Sequence, residues 1–252
     1  MTTARTTLTA TLAALLALSA APLAASAKSP VSTGGQPARI HSYVLLDRTG
    51  SMESRWTEAL SSVNAYAEEL GSLDGGPKVD AEITLAAFDS MNGLKFDVLR
   101  NDVDPANWKK VTDADATPRG TTPLYDAIGR MVALAEQDHP EKAVLVIMTD
   151  GQENASREVT RDGAKAALDR ARAKGWEVVF LGAEFSDFND AVGVGQTASR
   201  NMAATKGQLK DSMNRLAQKS KDYATGAAPT VEWNAEDRAA AQEDQVKQQN
   251  QH

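Results

Sequence analysis

The 252-residue chain contains no cysteine. That excludes disulfides, thiolate metal sites, a cysteine nucleophile and any cysteine-linked lipid anchor. Histidine is nearly as scarce. His41, His139 and His252 are the whole complement, which argues against a histidine-rich zinc site. A metal bound here would be held mainly by oxygen. The chain also lacks a basic excess: 27 Lys and Arg stand against 34 Asp and Glu, a formal net charge of −7. A nucleic-acid-binding surface carries the opposite balance. Beyond the first thirty residues, no apolar run approaches the ~20 residues a membrane-spanning helix needs. What remains is the composition of a globular chain large enough to bury a sizeable core.

The two ends differ from the middle. Residues 1–27 carry a single charge, Arg5, then an apolar Leu/Ala run around Leu8–Leu23, then Ala25-Ser26-Ala27. A basic start, an apolar centre and a small-x-small ending predict a secretory signal peptide cleaved after Ala27. The mature protein is then exported, with no membrane span. Residues 28–39 are rich in Pro, Gly and Ser and read as a linker. A globular domain is expected over 40–226. Residues 227–252 are polar and Gln-rich, with Val231, Trp233 and Val246 the main large apolar residues. They read as a polar tail or a surface helix.

Between the ends, apolar runs alternate with helical spacing. Ala143–Met148 and Trp176–Leu181 read as buried strands, Ile40–Leu46 is a short apolar run, Ala81–Phe88 is a strand candidate, and Ala198–Ala203 reads as a shorter strand. Leu94–Leu99 alternates apolar and polar residues, as an antiparallel or edge strand does. Trp56, Leu60, Val63, Ala67 and Leu70 fall on one helical face, ended by Asp74-Gly75-Gly76-Pro77. Further helices follow from Thr122, over Arg161–Lys174 and over Lys206–Tyr223, with a shorter one over Phe185–Val192. The pattern predicts an α/β fold: a doubly wound, mostly parallel central sheet with helices on both faces. In such sheets ligands bind beyond the carboxyl ends of the strands, so the loops after the apolar runs are where chemistry belongs.

Three of those loops are rich in oxygen. The first reads Asp47-Arg48-Thr49-Gly50-Ser51-Met52, the second Gly120-Thr121-Thr122-Pro123-Leu124-Tyr125-Asp126, and the third Thr149-Asp150-Gly151-Gln152-Glu153-Asn154. A parallel sheet puts the first and third at one edge. Asp47, Thr49, Ser51, Asp150 and a threonine of the second loop then converge. Two carboxylates and three hydroxyls are hard donors suited to Mg²⁺, Mn²⁺ or Ca²⁺. Taken singly, each loop is also an ordinary cap or turn, with Ser51 capping the following helix.

Together and in this order, the loops resemble those of the von Willebrand factor type A (VWFA) domain, a Rossmann-like fold, at its metal-ion-dependent adhesion site. The family pattern is Asp-x-Ser-x-Ser, a distant Thr and a distant Asp. Asp47, Thr49 and Ser51 match the first three places, Thr122 the fourth (Thr121 is the alternative) and Asp150 the fifth. Thr49 replaces a serine, keeping the hydroxyl and adding a methyl. The resemblance implies that hydroxyls ligate the ion directly and carboxylates often through water. It implies a non-enzymatic protein whose partner supplies an Asp or Glu carboxylate to the ion. It also implies that the last helix, Lys206–Tyr223, shifts when the site changes.

Other patterns are weaker. Glu58 stands twelfth from Asp47, as in an EF-hand, but Met52 occupies the place that needs glycine. Gly193-Val194-Gly195-Gln196-Thr197-Ala198 fits a dinucleotide fingerprint but lies late in the chain. A metal-dependent hydrolase of phosphate esters would need cationic groups near the metal, for which Arg48, Lys95 and Arg119 are the candidates. An envelope protein with a vestigial metal site is the third alternative.

Overall fold

The computed structural model describes residues 37–73 and 78–250; the signal peptide, nearly all of the linker and the Asp74–Pro77 stop lie outside them. The element order is β1 (Ala38–Asp47), α1 (Trp56–Gly71), β2 (Val79–Ser90), β3 (Leu94–Val103), α2 (Leu124–Asp138), β4 (Ala143–Thr149), α3 (Arg161–Ala173), β5 (Glu177–Ala183), α4 (Asn189–Gly193), β6 (Asn201–Ala204), α5 (Leu209–Thr225), α6 (Ala235–Ala240) and α7 (Glu243–Gln249). Six strands form one sheet in the order β3-β2-β1-β4-β5-β6. All neighbours are parallel except β3, which runs antiparallel to β2 at the edge. This is the doubly wound α/β architecture expected from the alternation of runs.

Successive side chains of a strand point to opposite faces, so a strand covered on both sides is mostly apolar on each. In β1, Val44 and Leu46 face the layer of α1 and α5, where Trp56, Leu60, Val63, Met213 and Leu216 are buried. Tyr43 and Leu45 face the layer of α2 and α3, with Leu124, Ile128, Met131 and Leu168. The chain leaves β1 toward β2 on one side and reaches β4 on the other. The strand order therefore reverses between β1 and β4, the point where sheets of this kind take their ligands.

Helices α1 and α5 are fastened to each other at both ends. The Glu58 carboxylate accepts the N–H groups of Gly207 (2.7 Å) and Leu209 (3.1 Å) at the start of α5. This employment, and not calcium ligation, is what its side chain shows. At the other end the buried Lys221 ammonium donates to the Ser72 carbonyl at 2.9 Å and meets Glu69 at 3.3 Å. Gly226 (φ +77°) ends α5 in the left-handed region that favours glycine.

Several boundaries differ from the sequence reading. The linker predicted for 28–39 gives way to β1 at Ala38, because Ala38 and Arg39 extend the register with Val79 and Asp80, and Arg39 pairs with Asp80 at 3.1 Å. Residues 227–250 are not a trailing tail. They form a strap along the outer edge of β6, with Val231, Trp233, Ala241 and Val246 buried. The strap accepts the edge N–H groups: Ala203 donates to the Glu243 carboxylate (3.2 Å) and Thr205 to the Ala241 carbonyl (3.0 Å). An edge strand so covered cannot pair with a stranger. An Asn234–Asp237 capping box starts α6, and Gln242 in the left-handed region separates it from α7. These polar anchors on the strand edge are what apolar periodicity did not foretell. The short helix expected over Phe185–Val192 is confined to α4.

Glu243 is the principal anchor. Burial pushes its carboxyl up, but Lys247, Arg238 and the Ala203 N–H together outweigh that and hold it below its ordinary 4.5. A carboxyl depressed in the fold stabilises it above the unfolded pKa, and the contribution is lost as pH falls through the folded value. Glu243→Ala is expected to cost roughly 1–3 kcal/mol. It should raise hydrogen exchange over 235–250 at neutral pH, whereas the wild-type strap should loosen only below pH 4.5.

Candidate metal centre

Asp47 ends the central strand with no solvent exposure. Its Oδ1 accepts the Thr49 N–H at 2.8 Å and its Oδ2 the Thr149 hydroxyl at 2.7 Å. One carboxylate thus ties the loop after β1 to the end of β4. Burial pushes its pKa up to about 7, against the pull of the Thr149 and Thr49 hydrogen bonds, and the Asp150 charge adds to the push. A nearby cation would favour the ionised form.

The hydroxyls form a chain. Ser51 Oγ donates to Asp150 Oδ1 at 2.7 Å, so the 3.2 Å contact between Thr49 Oγ1 and Ser51 Oγ is a donation from Thr49. No side-chain cap is found at the helical turn Gly50–Arg55 that follows; Ser51 is turned toward Asp150 instead. Thr122 joins from the second loop. A methyl group on Gly151 would stand 3.9 Å from Thr122 Oγ1 and 4.0 Å from Ser51 Oγ, so both hydroxyls flank the glycine that follows Asp150. Thr122 is buried, while the neighbouring Thr121 is exposed and pairs through its backbone with Ser90. That pairing demands Gly120, whose φ is +68° and whose Cβ would lie 2.3 Å from the Ser90 carbonyl oxygen. The structure therefore brings Asp47, Thr49, Ser51, Thr122 and Asp150 to one crevice at the reversal of strand order. The donors are all oxygen, two carboxylates and three hydroxyls, with no bulk on Gly151 to fill the space beside them. That set fits a hard divalent ion.

Several supporting residues carried no assignment in the sequence reading. Asn154 Oδ1 accepts the Thr122 N–H (2.9 Å), and its own N–H donates to the Thr122 carbonyl (3.0 Å). Glu153 accepts four hydrogen bonds, from the N–H groups of Tyr125, Ala155 and Ser156 and from the Ser156 hydroxyl. The buried Asp126 accepts the N–H groups of Arg157, Glu158 and Val159. The loop after β4 is thereby fixed to the start of α2. The signal was the run of polar residues after Asp150; their pairing needed the fold. Arg55 was also missed: its guanidinium reaches both Asp150 and Glu184.

Two of the three cationic candidates for hydrolysis, Arg48 and Arg119, are paired with carboxylates. Arg48 is buried and donates to Asp89 and Asp97, each at 2.5 Å, and Arg119 meets Asp89 at 3.2 Å. Lys95 is exposed on β3, opposite Asp89 in register. The Gly193–Ala198 pattern lies between α4 and β6, not after the first strand. At the far end of β1, buried His41 stands within reach of Asp102 and Asp138. Both ring nitrogens have partners there, Thr84 Oγ1 at 2.9 Å and the Tyr43 hydroxyl at 3.0 Å. Burial pushes the His41 pKa below 6.5. His139 occupies the left-handed C-cap of α2.

Solved structures share this arrangement of strands and helices. The vWF domain of the type V pili tip protein Mfa5 from Porphyromonas gingivalis aligns over 73% of this chain and 95% of its own, with 11% identity and a TM-score of 0.53. The chain has the von Willebrand factor type A fold. The pilus adhesin SpaC from Lactobacillus rhamnosus GG aligns over 75% of this chain but 30% of its own, at 14% identity and a TM-score of 0.57. The manganese-loaded TRAP protein of Plasmodium vivax aligns over 69% of this chain and 71% of its own, at 18% identity and a TM-score of 0.51. No protein-family model and no curated protein matches the sequence. Among the described residues, no helix of this VWFA fold is long and apolar enough to cross a membrane.

Glu153→Ala should remove one bond that ties the third loop to α2 and three that brace the loop itself, destabilising the fold by about 3 kcal/mol. Because it supports residues around the donors without touching them, Mn²⁺ affinity should fall about 10–100-fold. Chemical denaturation and calorimetric titration read the two effects separately.

Proposed function

We propose that this chain is an exported, non-enzymatic VWFA-domain protein of the adhesion type. It binds a divalent cation, Mg²⁺ or alternatively Mn²⁺ or Ca²⁺, at a metal-ion-dependent adhesion site made of Asp47, Thr49, Ser51, Thr122 and Asp150. Through the ion it holds an Asp or Glu carboxylate of a protein partner. The observation that carries this reading is the connected set Thr49–Ser51–Asp150, with Asp47 beneath it and Thr122 beside Gly151, at the one place where the sheet opens. Two carboxylates offset the charge of a divalent ion, and neutral hydroxyls add none. The bound ion supplies a positive centre to which an incoming carboxylate is attracted. The residues of the chain orient the donors and keep the floor dry, since Asp47, Thr49 and Thr122 are all buried.

Likeness to pilus proteins and to a manganese-loaded protein supports the adhesion reading by analogy of fold. The placement of Arg48 and Arg119 on Asp89 gives no support to phosphate-ester hydrolysis.

Asp47→Ala and Asp150→Ala should each weaken Mn²⁺ and Mg²⁺ binding by more than about 100-fold, beyond the 10–100-fold typical of supporting residues. Titration calorimetry on variants with unchanged circular dichroism measures this. A folded Asp47→Ala protein with wild-type metal affinity would refute the site. Capture of an acidic protein ligand should require the metal and fail with either variant.

A further inference from the structure

One positive charge already stands at the proposed metal site, and it belongs to the chain. Arg55 is the last residue of the turn Gly50–Arg55, four residues after Ser51. Its Nη1 donates to Asp150 Oδ2 and, at 3.2 Å, to the Ser51 carbonyl. Its Nε donates to Glu184 Oε2 at 3.2 Å. The Asp150 side chain is fully shielded from solvent, and that of Arg55 is only 18% exposed. Asp150 therefore has two separate employments: Oδ1 takes the Ser51 hydroxyl, and Oδ2 takes the guanidinium.

A buried carboxylate requires a compensating charge. Two cations cannot both use Asp150 without repelling each other across a few ångströms of low-dielectric space. Arg55 has somewhere else to go. Glu184 follows the end of β5 in a left-handed backbone conformation (φ +56°), with its N–H on the Ala204 carbonyl at 2.8 Å and its carbonyl accepting from Asn250 of the strap at 3.4 Å. This second carboxylate is held in place by β6 and by the end of the chain.

We infer that Arg55 is a tethered counter-cation that sets the affinity of the metal site. It compensates Asp150 while no ion is bound, and is displaced onto Glu184 when a divalent ion takes Asp150. This rests on the metal reading of the Asp47–Asp150 crevice. Arg55 lowers affinity for the ion and protects the metal-free fold.

The test is calorimetric titration of the full chain with MnCl₂, with thermal melting in the absence and presence of saturating Mn²⁺, for wild type, Arg55→Gln, Arg55→Lys and Asp150→Ala. Removing one like charge within a few ångströms should tighten Mn²⁺ binding about tenfold. Arg55→Gln should melt lower than wild type without metal, and the rise in melting temperature on adding Mn²⁺ should be larger than in wild type. Arg55→Lys keeps the charge but not the fork, so it should gain less, about threefold; it also serves if the glutamine variant fails to fold. Unchanged or weaker Mn²⁺ binding by the folded Arg55 variants, with wild-type binding that Asp150→Ala abolishes, overturns this inference and leaves the metal reading intact. An equal loss of stability with and without Mn²⁺ overturns it as well, by making Arg55 purely structural. Absence of binding in wild type and all variants overturns both, whereas binding that appears only in the Arg55 variants supports it.

Discussion

The arrangement depends on keeping a carboxylate dry at the end of the central strand. Asp47 has no contact with solvent, and its two oxygens are each met by one donor from a different loop. A buried carboxyl costs free energy unless its surroundings favour it. The surroundings here are the backbone of the first loop and the hydroxyl at the end of β4. Meeting the needs of Asp47 draws those two loops together. Ser51 and Asp150 then fall within hydrogen-bonding distance between the loops that follow β1 and β4. The site is thus a by-product of satisfying one polar group where the sheet has no side chains to close it.

Charge is partitioned around that point in two sets. On the β2 and β3 side, Arg48 and Arg119 converge on Asp89, with Asp97 at the rim. Asp89 Oδ1 has no protein partner, while Oδ2 receives both guanidinium groups. On the β5 side, Arg55 lies between Asp150 and Glu184. The first set matches two guanidinium groups with two carboxylates, Arg48 and Asp89 buried and Arg119 and Asp97 half exposed. The second has two acceptors for one donor, which makes it able to rearrange. The difference between the two sets comes from the ratio of carboxylates to guanidinium groups.

Much of this was legible in the chain. The run at Ala143–Met148 is apolar at every position because both faces are covered, and it proved to be a central strand adjacent to the one begun by the shorter apolar run at Ile40–Leu46. Asp47, Thr49, Ser51 and Asp150 could be grouped because parallel strands put their loops at one edge. Arg55 was not legible, because a helical-turn arginine carries no pattern and its partners lie 95 and 129 residues away. The reading of the strap as a polar tail or a surface helix caught its helices but not its docking, for a related reason. Glu243 and Ala241 satisfy backbone groups of the β6 edge, and such pairings leave no periodic trace. Apolar spacing reports burial on faces, whereas the covering of an edge is written in polar residues.

The fastening of α1 to α5 has a mechanical consequence. With Glu58 holding the start of α5 and Lys221 anchored at the end of α1, α5 cannot slide along its axis as a piston without breaking charge-assisted bonds at both ends. Any displacement of one helix is therefore shared by the other. Since α1 begins at the residue after Arg55, such a displacement is felt next to the guanidinium on Asp150.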